Sequence, residues 1–171
     1  SSTRARPLLI PTDLPPLLRS LLLDRGSLTR RLIALSQGDF RVRLDRLAWG
    51  APFAGEAHVL GLRAREVALL REVTLLCHEE AAVFARSVMP RRTLQGRYRR
   101  LRHLGNRPLG ELLFTDKHVA RGETRIFPVR AGDALYGGAI RRAVRQCPRF
   151  WGRSSLFYIG GEPLLVTEIF L

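Results

Sequence analysis

The spacing of apolar residues changes character near residue 39 of the chain. Before that point, apolar residues recur at helical spacing and are interrupted once, which predicts two short helices. Asp13 can cap the first helix, and Gly26 can end it in a left-handed conformation. Ser27 can cap the second helix and Gly38 can end it. The second helix mixes leucines with arginines, so we expect it to cover an apolar surface and not to read DNA.

From residue 39 onward, apolar and polar residues alternate with the period of β-strands. The pattern predicts strands at 40–49, 64–77, 81–90, 118–130 and 150–159 and a last strand after the turn at 160–163, with helices at about 92–104, from Pro108, and at 133–147. Tight turns join several of these strands, so we predict an α+β fold with an antiparallel sheet of about six strands. We expect a single domain over 1–171, with a helical cover at 1–38 and the sheet with inserted helices at 39–171.

Two charged residues lie in strands where alternation offers them no polar face. In the last strand, Glu168 shares a face with Leu164, Val166 and Phe170, and the opposite face is apolar as well. In the second strand, alternation places Arg71 on the apolar face, together with Val67, Leu69, Val73, Leu75 and Cys77. Burial of an unpaired charge costs several kcal/mol, so each group needs a partner.

Three arrangements satisfy this requirement. Arg71 and Glu168 can pair with each other as a structural salt bridge. They can lie on edge strands, where alternation misleads. Alternatively, a cavity in the sheet core can hold a small ligand whose carboxylate meets the planar fork of Arg71 and whose hydroxyl meets Glu168.

Composition indicates a folded globular protein: 171 residues, of which 46% are hydrophobic and 26% charged. No apolar segment is long enough to span a bilayer, and prolines interrupt the start where a signal peptide would need an unbroken apolar run, so we expect a cytoplasmic protein without membrane insertion. The formal net charge is +14, almost all of it from arginine spread along the chain. The densest cluster, 91–105, can follow a phosphate backbone or form the solvated face of a helix. The helical spacing of Leu94, Tyr98, Leu101 and Leu104 favours the solvated face.

Residue types that bind metals or cofactors show no recognisable spacing. Cys77 and Cys147 are 70 residues apart and are expected to be reduced thiols. The four histidines lack metal-ligand spacing, no serine occupies a G-x-S-x-G elbow, and phosphate-binding glycine loops are absent. The sequence therefore predicts a protein with no metal and no organic cofactor.

Several segments resemble, in order and spacing, the chorismate lyases of ubiquinone biosynthesis. They are LLLDRGSLTRRL (21–32), LREVTLLC (70–77), ARSVMP (85–90), RPLGELLF (107–114) and FWGRSSLFYIGGEPLLVTEIFL (150–171). The combination of WGR with the G-x-PLL-x-TE-x-FL ending is the most specific part. The resemblance implies an antiparallel sheet with helical flaps over a buried site. It also implies cofactor-free removal of pyruvate from chorismate to give 4-hydroxybenzoate, with product inhibition.

The resemblance also implies roles for particular residues. Arg71 would anchor the ring carboxylate, and Glu168 would face the ring hydroxyl and can take a proton in the reaction. Backbone amides of Leu28 and Leu109 would complete the polar lining of the site. Arg86 is a further candidate near the pyruvyl side. Leu28 replaces the methionine of the best-known family pattern, a change that a backbone contact tolerates.

Two other functions compete with this interpretation. A non-catalytic domain of the same fold that binds an aromatic acid is the first, because effector domains of some bacterial transcription regulators share the fold. Those domains follow a DNA-binding domain, for which the roughly 38 residues before the first strand leave no room. Nucleic-acid binding, suggested by the charge, is the second. We expect neither a nucleic-acid partner nor a stable oligomer, and therefore a monomer.

Overall fold

Six antiparallel strands form one open sheet. The computed structural model of the protein describes residue 12 and residues 14–171. The strands are β1 (Phe40–Gly50), β2 (Ala68–Cys77), β3 (Glu80–Pro90), β4 (Val119–Arg130), β5 (Arg149–Ile159) and β6 (Glu162–Phe170). Their order across the sheet is β1-β2-β3-β6-β5-β4, so the last strand of the chain lies in the middle. The predicted α+β class and the six-stranded antiparallel sheet are confirmed.

Helices occupy the connections between strands. The α-helices are α1 (Pro16–Leu23), α2 (Leu28–Leu35), α3 (Ala54–Leu60), α4 (Leu109–Thr115) and α5 (Tyr136–Arg142), and 3-10 helices span Arg91–Thr93 and Gly96–His103. The Ser27 side chain caps α2 by accepting from the Arg30 amide at 3.3 Å, as predicted. Gly38 has a φ of 88° just after α2, which confirms it as a stop. Asp13, the predicted cap of the first helix, lies outside the described residues.

The two faces of the sheet carry separate apolar clusters. Strand residues such as Val73, Ala85 and Phe170 pack beneath α1 and α2. A second cluster on the same face packs beneath the 3-10 helix Gly96–His103 and α4. The opposite face packs against α3 and α5 through clusters that include Leu70 and Phe84. Leu94, Tyr98, Leu101 and Leu104 are all buried, so the 91–105 segment has the apolar inner face that its spacing predicts.

Several predicted boundaries and conformations are wrong for local reasons. The second strand begins at Ala68 and not at residue 64, because a turn at 63–66 has Arg65 at a φ of 64°. Helix α3 was not predicted. Its start is stabilised by a single side-chain contact, in which the Glu56 carboxylate accepts from the Phe53 amide at 2.9 Å, and apolar periodicity does not reveal such a contact. Gly26 does not adopt the left-handed conformation, and α1 ends at an extended Asp24. The helix predicted at 92–104 is a pair of 3-10 helices, and the predicted 133–147 helix is only Tyr136–Arg142.

Candidate functional site

A buried cavity lies between the sheet and the two short helices α2 and α4. Its lining comes from β1, β2, β3, β6, β5 and β4 below and from the starts of α2 and α4 above; the polar members are Thr29, Arg71, Ser87, Arg121, Arg153, Ser155 and Glu168. The cavity has a volume of about 50 Å³. A cavity of ~150 Å³ is needed for benzene, so an aromatic ligand requires the covering helices or side chains to move.

Arg71 is a buried cation that has no charged partner among the residues that the structure describes. Its Nη2 donates to the carbonyls of Gly105 at 3.0 Å and Arg107 at 2.8 Å. Its Nε is buried and has no hydrogen-bond partner among the described residues. Desolvation lowers the pKa of Arg71 to about 10. A guanidinium held in this state stabilises an anion that enters the cavity, because a carboxylate would supply the missing charge and acceptor.

Glu168 has a protein partner, but that partner is Arg153 and not Arg71. Arg153 donates from Nε to Oε2 of Glu168 at 2.8 Å, and its Nη2 lies 2.7 Å from the same oxygen in an ion pair. The Nη1 of Arg153 donates to the carbonyls of Leu21 and Asp24, so the same arginine ties α1 to the sheet. Within the described part of the chain, Oε1 of Glu168 has no hydrogen bond and can accept one from a ligand in the cavity.

Sheet register explains why Arg71 and Glu168 face one cavity without meeting. Arg71 is paired with Ser87, which is paired with Val166 on β6. Glu168 lies two residues beyond Val166. Two strand spacings of ~4.8 Å and two residues of ~3.4 Å separate the backbones by about 12 Å. This separation excludes the direct salt bridge, and the small side chains of Ala85 and Ser87 lie at the cavity between the two charged groups.

The first turns of two helices border the cavity. Leu28 and Leu109, which line the cavity, are the first residues of α2 and α4. Amides in the first turn of a helix have no partner within the helix. The two helices meet at Gly110, where a Cβ would lie 3.2 Å from the Thr29 hydroxyl. A larger residue there would push the two covering helices apart.

Arg121 on β4 is a polar residue of the cavity that the sequence interpretation missed. It is half-buried and lies 5.6 Å from the ring centre of Phe157 and 5.8 Å from that of Phe114. Desolvation lowers its pKa, and the nearby charge of Arg153 adds to this effect while Glu168 opposes it. Arg121 and Arg153 carry the same signal as Arg71, a charge that alternates with apolar residues along a strand, and that signal could have found both.

Arg86, predicted to lie near the pyruvyl side, is not at this cavity. It follows Ala85 on β3, and alternation therefore places it on the opposite face of the sheet. There it donates to both carboxylate oxygens of Glu56, at 2.7 and 3.0 Å, and to Glu72 at 2.8 Å. The structure thus brings together Arg71, Glu168, Leu28 and Leu109, and separates Arg86 from them.

Over residue 12 and residues 14–171, no group of three or more His, Cys, Asp or Glu residues is arranged to hold a metal ion. Cys77 and Cys147 are free thiols, as predicted. None of the helices in the described ranges is long and apolar enough to cross a membrane.

The chain is similar in sequence to known proteins over most of its length. The family model described as chorismate lyase matches residues 9–171. The probable chorismate pyruvate-lyase of Methylococcus capsulatus is 46% identical over 154 residues, which cover 90% of this chain and 94% of the relative. The probable chorismate pyruvate-lyase of Thiobacillus denitrificans is 43% identical, with coverage of 92% and 83%.

Comparison with solved structures shows the fold alone. The effector domain of PhnF from Mycobacterium smegmatis superposes with a TM-score of 0.60 at 19% identity, covering 86% of this chain and 90% of that domain. The ligand-binding domain of a GntR-family transcriptional regulator from Bordetella bronchiseptica superposes with a TM-score of 0.56 at 20% identity, with coverage of 77% and 82%. These two domains therefore share the fold of this chain.

Proposed function

The chain belongs to the chorismate lyase family, and we infer from this and from the cavity that it eliminates pyruvate from chorismate to leave 4-hydroxybenzoate, the first committed step towards the ubiquinone ring. One observation carries the assignment of the site. Among the described residues, Arg71 is a buried cation without a counter-ion, and it shares a cavity with a glutamate that has one oxygen without a hydrogen bond. An aromatic acid with a hydroxyl opposite its carboxylate satisfies both groups at once.

The reaction requires one proton to leave a ring carbon and one carbon–oxygen bond to break. The ring carbon that bears the hydroxyl loses its proton, and the neighbouring carbon loses the enolpyruvyl ether. The electron pair of the broken C–H bond completes the aromatic ring, and the leaving enolpyruvate takes up a proton to become pyruvate. Aromatisation supplies the driving force, so the protein mainly has to hold the substrate and accept one proton.

The side chains divide these tasks between the two ends of the cavity. Arg71 binds the ring carboxylate, and the free amides of Leu28 and Leu109 complete the polar lining. Glu168 accepts a hydrogen bond from the ring hydroxyl through Oε1 and is placed to take the ring proton. Arg153 holds the carboxylate of Glu168 in position through Oε2. This division keeps the residue that fixes the substrate separate from the residue that moves the proton.

The closed cavity also predicts how the product leaves. Because α2 and α4 cover the site, 4-hydroxybenzoate leaves only when these helices open, so we expect slow product release and inhibition by product. We expect the protein to act as a monomer, with chorismate and 4-hydroxybenzoate as its partners.

The decisive experiment incubates the purified protein with chorismate and no added metal and measures pyruvate and 4-hydroxybenzoate. Equal amounts of both are expected. Glu168→Gln should lower kcat by about 100-fold or more, since general-base contributions are of this order. It should still bind 4-hydroxybenzoate, because the amide oxygen can accept from the ring hydroxyl. Full turnover by this variant would contradict the proton-transfer role.

A second function is favoured by the likeness to regulator effector domains. A protein that only senses aromatic acids would bind 4-hydroxybenzoate in the same cavity. It would release neither pyruvate nor 4-hydroxybenzoate from chorismate. The same assay therefore separates the two functions.

A further inference from the structure

Arg121 is a second cation of the cavity whose hydrogen bonds, within the described residues, all go to neutral acceptors. It donates from Nη1 to the carbonyl of Arg25 and from Nη2 to the Ser155 hydroxyl at 3.1 Å. Its Nε is buried and has no partner in the same part of the chain. Like Arg71, it therefore has a donor edge and a positive charge that the protein itself does not satisfy.

The backbone of β4 turns this side chain towards the cavity. Arg121 is paired with Phe157 and Thr124 with Ser155, so three residue steps on β4 match two on β5. This bulge lets Arg121 and Thr124 face the same side, although an odd separation would normally place them on opposite sides. Gly122 lies in the bulge, where a Cβ would be 3.0 Å from the Tyr158 ring and 3.2 Å from the Leu156 carbonyl.

Charges around the cavity match a ligand with two carboxylates. Three arginines, Arg71, Arg121 and Arg153, line it together with one carboxylate, Glu168. Among the described lining residues, the Arg153–Glu168 ion pair accounts for one cation and the one carboxylate. Arg71 and Arg121 remain without an ion pair in the same part of the chain, and they lie on β2 and β4, at opposite sides of the cavity. Desolvated cations of this kind are favourable only when anions enter with them.

The substrate inferred above is a dianion and its ring product is not. Chorismate carries one carboxylate on the ring and another on the enolpyruvyl group, whereas 4-hydroxybenzoate keeps only the ring carboxylate. Building on the proposed function, we propose that Arg121 binds the carboxylate of the enolpyruvyl group. It then contacts the part of the substrate that departs as pyruvate and distinguishes substrate from ring product.

This assignment predicts a split between two measured constants. Arg121→Gln should raise KM for chorismate by about 10- to 100-fold, the range for loss of a hydrogen bond to a charged group. It should change the Kd for 4-hydroxybenzoate by less than about threefold. Arg121→Lys should recover part of the lost affinity for chorismate because it restores the charge. Arg125→Gln, which alters an exposed arginine of the same strand paired with Glu123, is the matched control and should leave both constants unchanged.

A purely structural role gives a different result. Arg121 donates a hydrogen bond to the carbonyl of Arg25, which lies between α1 and α2. A variant that only loosened these helices would therefore weaken the binding of substrate and of product by the same factor. Equal losses would therefore overturn the proposal, and so would an unchanged KM for chorismate.

Binding at equilibrium tests the same contact without turnover. The probe is 3-(carboxymethoxy)-4-hydroxybenzoate, a product analogue with an ether-linked carboxylate beside the hydroxyl, compared with the methyl ester of that side carboxylate. Wild-type protein should bind the acid at least tenfold more tightly than the ester, and Arg121→Gln should remove this difference. Failure of the wild type to release pyruvate from chorismate would contradict the proposed reaction. The acid–ester comparison would still decide whether Arg121 binds a second carboxylate.

Discussion

The two faces of the sheet bury charge in opposite ways. On the face that packs against α3 and α5, Arg86 and Arg142 meet three carboxylates: Glu56, Glu72 and Asp45. On the cavity face, three arginines meet one. Arg71 and Arg86 are almost equally inaccessible, at 3% and 2% exposure. Their charged surroundings are nevertheless different.

The pKa values of the two arginines express this difference. Desolvation lowers the pKa of both, but in Arg86 the carboxylates of Glu56 and Glu72 outweigh it and raise the value. In Arg71 nothing outweighs it, and the pKa falls to about 10. Burial alone therefore does not distinguish a structural arginine from one that binds a ligand. The presence or absence of a carboxylate partner does.

The largest effect should come from removing a buried ion pair on the face that packs against α3 and α5, which we call the paired face. Arg86→Met removes the cation that pairs with the buried carboxylate of Glu56 and leaves Glu72 only the longer contacts to Arg142 and Arg46, so we expect a loss of about 3–5 kcal/mol in the free energy of unfolding. Urea denaturation measures it. Arg41→Met removes an arginine from an exposed ion pair with Glu79 and should show no measurable loss. A loss for Arg86→Met no greater than that of the control would show that the buried ion pairs do not stabilise the fold.

A substitution on the cavity face should lower the affinity for ligand strongly and the stability of the fold only slightly. Arg71→Met removes a cation that has no counter-ion but leaves the carbonyls of Gly105 and Arg107 without a donor, so we expect a stability loss below about 2 kcal/mol. Affinity for 4-hydroxybenzoate should fall by about 30-fold or more, since a buried charge partner is lost. Calorimetric titration measures this affinity. Unchanged affinity together with a stability loss as large as that of Arg86→Met would make Arg71 a structural residue.

Much of the fold was predictable from the sequence because alternation and turn residues act locally. Five of the six strands were placed within one residue at each end or followed a recognised turn, and the second strand failed only at its start. Helix α3 and the 3-10 helices depend on single side-chain contacts and on the geometry of their connections, which periodicity does not encode. Strand order was also beyond the sequence, because pairing of β3 with β6 joins segments about 80 residues apart.

The site was predictable only in part, for a related reason. Alternation correctly placed Arg71 and Glu168 on apolar strand faces, but it could not tell which strands are neighbours. Glu168 pairs with Arg153 because β5 lies next to β6. Arg86 points away from the cavity because it has the opposite parity to Ala85. The family resemblance indicated which ligand to expect, and the strand register of the structure showed which side chains are neighbours.

The smallest predicted effect is the pH dependence of the stability that Asp45 contributes on the paired face. Asp45 on the paired face is desolvated, which raises its pKa, but hydrogen bonds from Thr74, Arg43 and Arg142 lower it below the ordinary value of 3.8. A carboxyl whose folded pKa is depressed stabilises the fold above its unfolded pKa and loses that contribution as pH falls through the folded value. Asp45→Asn should therefore cost about 1 kcal/mol or less at neutral pH. The difference from wild type should shrink below about pH 3.8, the unfolded pKa of an aspartate. Urea titrations of both proteins between pH 7 and pH 3 measure this difference, and a constant gap over the whole range would show that Asp45 stabilises the paired face through packing and not through its charge.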